Sequence, residues 1–400
     1  MAKSDNLRKA KSAKNDEFYT RLEDIEAEIS QHKDYVRQFE GKTVFCNCDD
    51  PEWSNFFVFF KLHFRQLKLK KLITTHYHPD GSPSYKLEWA GEMLNDDMVN
   101  LIKTPLKGNG DFCSEECIEI LKEADIVVTN PPFSLWREYV AQLAEYGKQY
   151  VIIGNNNAIA YKEVFPLLKE GKMFIGYHAN ETFVFKVAND YKYDPKLTSK
   201  INDGNKYGKV PAVTWFTNLD LDKSHEPLIL TKNYYGNETR YPKYDNYDAI
   251  ECGKVKDIPK DYFPCWYKCP NAGTCLYAQT EGKNVKVSCE KACNGVIGVP
   301  VTFLSDYCAE QFEILGQTTG RCEFDKLAWP IKKYENPKQY LFDKAKNQWI
   351  ESNGSKINTG CELLYREKPA NDTYYTADNA DGVLKRLYNR VLIQRKLIKE

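Results

Sequence analysis

The 400-residue chain has no run of roughly 18–20 uncharged apolar side chains, the length a membrane-crossing helix needs. Its first residues, MAKSDNLRKAKSAKNDEF, contain no apolar signal core. Both absences point to a soluble, intracellular protein with no membrane partner. An excess of charge of either sign is missing too: Lys plus Arg and Asp plus Glu each number 56, so no overall cationic field announces a nucleic-acid partner. Basic residues are bunched at the ends instead. Lys3, Arg8, Lys9, Lys11 and Lys14 stand against one acid, Asp5, and Lys385, Arg386, Arg390, Arg395, Lys396 and Lys399 crowd the close of the chain. Each end reads either as a phosphate-meeting patch or as a solvated tail. No histidine follows His225, which argues against an appended histidine-dependent nuclease, and no internal repeat is present.

What is there exceeds one compact core: this length with 42% apolar residues predicts a large domain plus a smaller or inserted unit. From 43 to 180 short β-rich runs alternate with helical stretches, the pattern of a parallel α/β sheet. Predicted strands are 43–48 (TVFCNC), 71–77 (KLITTHY), 125–129 (DIVVT), 150–154 (YVIIG) and 173–177 (MFIGY). Between them NFFVFFKLHFRQL, SEECIEILKEA and LWREYVAQLAEYG carry apolar residues at helical spacing. ETFVFKV and AVTWFTNL read as an antiparallel pair closing one sheet edge. After Asp222 the chain turns rich in Tyr, Asn, Lys and Pro, a loop-rich surface, and the weak patterning of 316–380 predicts a small variable lobe.

Thirteen cysteines without a signal peptide read as thiols or metal ligands rather than a disulfide framework. Five cluster as Cys265-x3-Cys269-x5-Cys275-x13-Cys289-x3-Cys293, a spacing unlike the paired C-x2-C of a zinc ribbon. A four-thiolate structural zinc and isolated buried thiols both account for them, with a redox pair behind. About one equivalent of zinc, lost when Cys289 and Cys293 become Ser, would decide for the metal.

The segment DIVVTNPPF runs an apolar strand into Asn130, Pro131, Pro132 and Phe133, at the carboxyl end where open α/β sheets bind ligands. The exocyclic amine of adenine is a poor nucleophile because its lone pair is delocalised into the ring. The Asn130 amide oxygen and the Pro131 carbonyl would each accept one of its hydrogens and favour a pyramidal nitrogen. Consecutive prolines hold that carbonyl in one direction and bring no competing N–H. An aromatic face at Phe133 suits stacking on a base extruded from a duplex. Transfer governed by positioning needs neither a metal nor a nucleophilic Ser or Cys. The bland alternative is a rigid strand-to-helix turn without chemistry.

The chain resembles the EcoRI-type adenine-specific DNA methyltransferases of restriction-modification systems. The resemblance is carried by NDEFYT at 15–20, VFCNCDDPEWSNFF at 44–57, EADIVVTNPPFSLW at 123–136, YGNETRYPKYDNYDAI at 235–250, GVIGVPVTFL at 295–304 and the closing LYNRVLIQRK. It implies a Rossmann-like fold with a seven-stranded mixed sheet and a loop-rich DNA-recognition region; the Cys-rich stretch interrupts the family pattern between DIPKDY and GVIGVP and is therefore an insertion. It implies S-adenosylmethionine as methyl donor, N6-methyladenine in double-stranded DNA as product and the cytoplasm of a bacterial or phage-infected cell, and it leaves open whether a cognate restriction endonuclease shares the site without a stable complex. The expected division is 1–222 as catalytic domain, 223–315 as target-recognition region with an insertion at 263–293, and 316–400 as small lobe and basic tail.

By the same resemblance Phe18, Tyr19 and Thr20 touch the methionine part of the cofactor. Cys46, Asn47, Cys48, Asp49 and Asp50 form the first strand-to-helix loop, Asp111 and Phe112 meet the cofactor adenine, and Asn130 to Phe133 are catalytic. The first loop departs from the usual pattern: CNCDDP has no glycine, so Asp49 or Asp50 is assigned the cofactor ammonium, with helix capping before Pro51 as the alternative role. The second strand also departs, ending Thr74-Thr75-His76-Tyr77 without the acid that commonly holds a ribose. Lys232, Tyr235, Asn237, Arg240, Tyr241, Lys243, Tyr244 and Asn246 are the DNA-contact candidates, cations interleaved with aromatics and amides. A tyrosine-rich loop packed on its own domain is the other reading of that stretch. Two rivals remain: enzymes that methylate glutamine side chains or RNA bases use Asn-Pro-Pro-aromatic loops as well, and a DNA-binding module with the fold but without catalysis would keep the same pattern.

Overall fold

The computed structural model describes residues 20–48, 51–52, 54–78, 81–90, 100–187, 198–200, 206–264, 294–318, 332–352, 364–366, 373–380, 382–386 and 389–396. The chain divides into two compact units, Met1–Asp222 and Lys223–Glu400.

The first unit is built on one sheet. After helices α1 (Leu22–Ile29) and α2 (Tyr35–Phe39), strand β1 (Thr43–Cys46) enters the centre, fully buried along its length. Helix α3 (Asn55–Leu62) starts at Ser54, whose hydroxyl accepts the N–H groups of Phe56 and Phe57, and it buries Phe56, Phe57, Phe59 and Phe60. It returns the chain to β2 (Lys71–Thr75), parallel to β1. A hairpin of β3 (Tyr85–Ala90) and β4 (Asn100–Pro105) then extends the sheet outward from β2. Helix α4 (Glu115–Glu123), capped by Ser114, crosses back to β5 (Ile126–Thr129), which pairs with the opposite side of β1. Helix α5 (Trp136–Glu145) leads to β6 (Gln149–Asn155), parallel to β5.

Beyond β6 the chain forms α6 (Phe165–Lys169), β7 (Phe174–Ile175), β8 (Glu181–Val187), β9 (Thr198–Lys200) and β10 (Lys206–Thr217). Strand β10 is bent by a bulge between Val210 and Val213, with Ala212 at φ 58°. Its first half pairs with β8 and its second half lies antiparallel to β6. The order is β4-β3-β2-β1-β5-β6-β10-β7, with β8 and β9 on β10. The sheet therefore has ten strands, where the family resemblance implies seven. The additions come from β3, which is largely half-buried, β4, which is mostly exposed, and the short β9. An edge hairpin needs no continuous apolar run, so such strands carry little hydrophobic signal.

The core between sheet and helices is aromatic and aliphatic: Phe39, Phe56, Phe60, Val44, Ile126, Val128, Ile153 and Trp215 are buried together. Strand order reverses at β1, whose two neighbours β2 and β5 are reached in opposite directions. That is the switch point where an open α/β sheet leaves a crevice at the carboxyl ends of its strands.

In the second unit, β11 (Ile250–Glu251), β12 (Val296–Pro300), β13 (Phe312–Gln317) and β19 (Arg390–Arg395) form a four-stranded sheet ordered β11-β12-β19-β13. The basic C-terminal segment is thus a central strand: Val391, Leu392 and Ile393 are fully buried. The cations in and just after this strand are engaged internally, Arg390 with Glu251, Arg395 with the Lys260 carbonyl and Lys396 with the Ala309 carbonyl. The weakly patterned stretch after 316 contributes a second sheet of β14 (Lys338–Asp343), β15 (Gln348–Ser352), β16 (Leu364–Arg366), β17 (Thr373–Thr376) and β18 (Leu384–Arg386). Among the described residues no helix is long and apolar enough to cross a membrane.

Candidate active site

Strand β5 is a run of four fully buried residues, and it delivers Asn130, 8% exposed, and the buried Pro131 to the carboxyl edge of the sheet. Pro132 and Phe133 are half-buried, and Phe133 rests against the apolar core. The Leu135 N–H donates to the Pro132 carbonyl at 3.0 Å, closing the turn into α5. Continuous apolarity of the strand and two fixed proline φ angles leave the loop few alternative paths.

The loop after β1 lies against this one. Cys48 N–H donates to Thr129 Oγ1 at 3.2 Å, which ties the ends of β1 and β5 together. On the other flank the Thr74 hydroxyl donates to the Cys46 carbonyl at 2.9 Å and the Thr75 hydroxyl to the Asn47 carbonyl at 3.3 Å. The buried Asn47 side chain accepts from the Tyr139 hydroxyl and, at 3.6 Å, from the Cys48 thiol. A glycine-free turn is held here by side-chain hydroxyls where other folds rely on backbone freedom.

The third segment arrives from β4. Gly110, at φ +82°, packs so closely that a Cβ would lie 1.9 Å from the His76 carbonyl oxygen. Asp111 follows: its N–H donates to Asn109 Oδ1 at 3.2 Å, and its carboxylate accepts the Cys113 N–H at 2.8 Å. Phe112 is buried edge-on against Tyr139, ring centroids 5.1 Å apart, and its carbonyl accepts from Gln142 at 3.2 Å. At the acid-free end of β2, His76 stacks on Tyr85, whose hydroxyl donates to Glu52 at 3.1 Å.

Thr20 is buried, and its carbonyl accepts from the Asn55 amide at 2.6 Å. Its hydroxyl has no hydrogen-bond partner among the described residues. A buried donor in that state is a place where a polar ligand is expected. The structure therefore brings Cys46, Asn47, Cys48, Asp111, Phe112 and Asn130 to one edge of one sheet. Phe18, Tyr19, Asp49 and Asp50 lie outside the described residues. Thr74, Thr75, Thr129 and Tyr139 escaped the sequence reading. The available signals were a threonine pair closing a strand and a lone hydroxyl on the apolar stripe Trp136, Tyr139, Val140 and Leu143.

In the second unit the eight DNA-contact candidates separate by burial. Lys232, Tyr235, Asn237, Arg240 and Lys243 are exposed, whereas Tyr241, Tyr244 and Asn246 are buried. The buried phenols anchor the loop: Tyr241 donates to the Asp257 carbonyl at 2.9 Å, and Tyr244 donates to Glu251, which also receives Arg390 Nε and Nη2 at 3.0 and 2.9 Å. Burial, followed by the charge of Glu251, holds the Tyr244 phenol well above its ordinary pKa, so it stays a neutral donor. Asp261 accepts the backbone N–H groups of Tyr234 and Tyr235 at 2.6 and 3.3 Å.

Cys265, Cys269, Cys275, Cys289 and Cys293 lie outside the described residues, as do residues 1–19. Among the described residues no group of three or more His, Cys, Asp or Glu side chains is arranged to hold a metal, and Cys46, Cys48, Cys113, Cys117, Cys252 and Cys308 form no disulfide with one another.

No solved structure matches the chain. It is 41% identical over 309 residues, 77% of this chain and 84% of the relative, to the Type II methyltransferase M.MpnI of Mycoplasma pneumoniae. It is 41% identical over 333 residues, 80% of this chain and 91% of the relative, to the Type II methyltransferase M.EcoRI of Escherichia coli. The Type II methyltransferase M.MgeORF184P of Mycoplasma genitalium is 40% identical over 314 residues, 78% of this chain and 85% of the relative. The model of the family described as adenine-specific methyltransferase EcoRI matches residues 6–266, and the chain belongs to that family.

Proposed function

We propose that this adenine-specific DNA methyltransferase transfers a methyl group to the exocyclic N6 of an adenine extruded from duplex DNA, with Asn130, Pro131, Pro132 and Phe133 as its catalytic loop. The observation that carries the reading is the placement of a buried amide and a buried proline carbonyl at the carboxyl end of β5, tied through Thr129 to the loop after β1. Asn130 Oδ1 and the Pro131 carbonyl accept the two amine hydrogens, and the nitrogen lone pair is thereby freed for attack. Phe133 stacks on the extruded base. S-adenosylmethionine, when bound, supplies an electrophilic methyl group on a sulfonium.

The residues present fit that cofactor. Thr20 offers a buried hydroxyl, Cys46, Asn47 and Cys48 the loop after β1, and Asp111 with Phe112 a carboxylate and a ring for an adenine, while the resemblance assigns Asp49 or Asp50 to the ammonium. Phe18 and Tyr19 complete the set by resemblance. No protein nucleophile is needed: the groups named accept hydrogen bonds, orient the base and exclude water. Lys232, Tyr235, Asn237, Arg240 and Lys243 form the exposed face of the target-recognition region, 223–315, while Tyr241, Tyr244 and Asn246 support it from beneath. The catalytic domain is 1–222, and 316–400 is a lobe whose last strand returns to the recognition region's sheet.

The test offers purified protein and S-adenosylmethionine duplex DNA, RNA and polypeptide substrates in parallel, and maps the methylated position. N6-methyladenine confined to duplex DNA at one sequence context is expected. Methyl transfer to RNA or to glutamine amides instead overturns the reading.

A further inference from the structure

Four hydroxyls hold the glycine-free loop after β1. Three come from the flanking strands β2 and β5: Thr74, Thr75 and Thr129. The fourth, Tyr139, comes from α5, a helix that begins just beyond the catalytic loop at Trp136. Tyr139 is fully buried, and its hydroxyl donates to Oδ1 of the buried Asn47. The same ring receives the edge of Phe112, and Gln142, on the same side of the helix, donates to the Phe112 carbonyl. One helix face thus contacts both segments assigned to the cofactor, while the helix start is joined to Phe133 by a hydrogen-bonded turn.

A buried phenol and a buried amide oxygen each need a partner. With the phenol oxygen removed, Asn47 Oδ1 keeps the Cys48 thiol at 3.6 Å, a weak donor. The amide is then poorly held, and the loop that carries it with it.

We infer that Tyr139 is a positioning residue that fixes the cofactor loop, through Asn47, relative to the catalytic loop at the start of its own helix. The inference rests on the assignment of 46–50 to S-adenosylmethionine. It makes the helix a strut whose hydroxyl contact from Tyr139 to Asn47 sets cofactor affinity. A core tyrosine with only a packing role would instead contribute to stability alone.

The test is Tyr139→Phe, which keeps the ring, the Phe112 contact and the apolar stripe. S-adenosylmethionine affinity is measured by calorimetry, duplex DNA affinity by anisotropy, and the steady-state constants for both. An unsatisfied buried acceptor corresponds to about a tenfold loss. Cofactor Kd and cofactor KM should therefore rise about tenfold, while DNA affinity and the KM for DNA change less than about twofold. Asn47→Ala approaches the same contact from the loop side; in that background Tyr139→Phe should add less than about twofold. Unchanged cofactor affinity in Tyr139→Phe overturns the inference, as does an additive double variant, or a parallel fall of cofactor and DNA affinity together with stability. Wild-type protein that fails to bind S-adenosylmethionine overturns the loop assignment itself, which is a distinguishable result.

Discussion

Replacing Asn130 by Ala removes one amide from the carboxyl end of β5 and little else. Ile126, Val127, Val128 and Thr129 behind it are fully buried and untouched, and Pro131 and Pro132 still fix the course of the loop. The side chain is buried but lies at the end of the strand, so stability should move by about 1–2 kcal/mol, too little to unfold the domain. What disappears is one of two positioned acceptors for the amine hydrogens. Loss of a preorganised transition-state partner costs about 2.7–4 kcal/mol, or about 10²–10³ in rate. Single-turnover methyl transfer with saturating DNA and cofactor should accordingly fall at least about a hundredfold, while the S-adenosylmethionine Kd from calorimetry stays within about threefold. Asn130→Asp, which keeps an acceptor oxygen but adds charge, should recover part of the rate. Full activity in the alanine variant, or a cofactor Kd that rises as steeply as the rate falls, would refute the assignment of Asn130 to the chemical step.

Three further outcomes follow from other parts of the molecule. Gly110→Ala places a Cβ against the His76 carbonyl at a positive φ, whereas Gly147→Ala, at φ +59°, meets nothing within 4 Å. Both suffer the left-handed backbone penalty of about 1–2 kcal/mol, but the Gly110 variant should lose more stability in urea and also cofactor affinity, because Asp111 is displaced. Burial disfavours the Glu28 carboxylate, yet the His32 imidazole at 3.2 Å and the N–H groups of His178 and Tyr177 outweigh it and hold its pKa below the ordinary 4.5. A depressed carboxylate stabilises above its unfolded value and the stabilisation is lost as the pH falls below 4.5, so Glu28→Gln should lower stability at pH 7 by about 1.5–3 kcal/mol and flatten the acid limb of a urea-midpoint series. Arg240→Ala and Lys243→Ala should each weaken DNA binding and reduce the slope of log affinity against log salt by about 0.9, while Tyr241→Phe leaves that slope unchanged and lowers the thermal midpoint.

The strand that ends at Asn130 was legible from composition because a parallel strand buried on both faces favours a continuous apolar run, and Ile126, Val127 and Val128 supply one. The break at Asn130 was equally plain, since two prolines end a strand wherever they fall. The strands 181–187 and 212–217 were legible, but their pairing was not: β8 runs antiparallel to 206–210, the earlier half of β10, and the later half lies against β6. Edge strands β3 and β4 were not legible, being partly exposed and under no demand for a continuous apolar run. The basic C-terminus shows the same limit from the other side. Its cations suggested a tail, but the contiguous Val391, Leu392 and Ile393 make it the central strand of a sheet, and Arg390 spends its charge on Glu251.

By itself the sequence determined the family, the central parallel strands that display the loop, and the residue types at their carboxyl edge, because local periodicity and a long collinear match are properties of the chain as written. Tertiary structure alone decided which polar groups meet. Tyr244 and Tyr235 are alike in composition and neighbourhood, yet one is buried on Glu251 and Arg390 and the other is exposed. Tyr139 reaches Asn47 across 92 positions of sequence. A hydroxyl's partner depends on which distant segment the packed core brings within hydrogen-bond reach, and that distance is fixed by the folded chain rather than by its spacing.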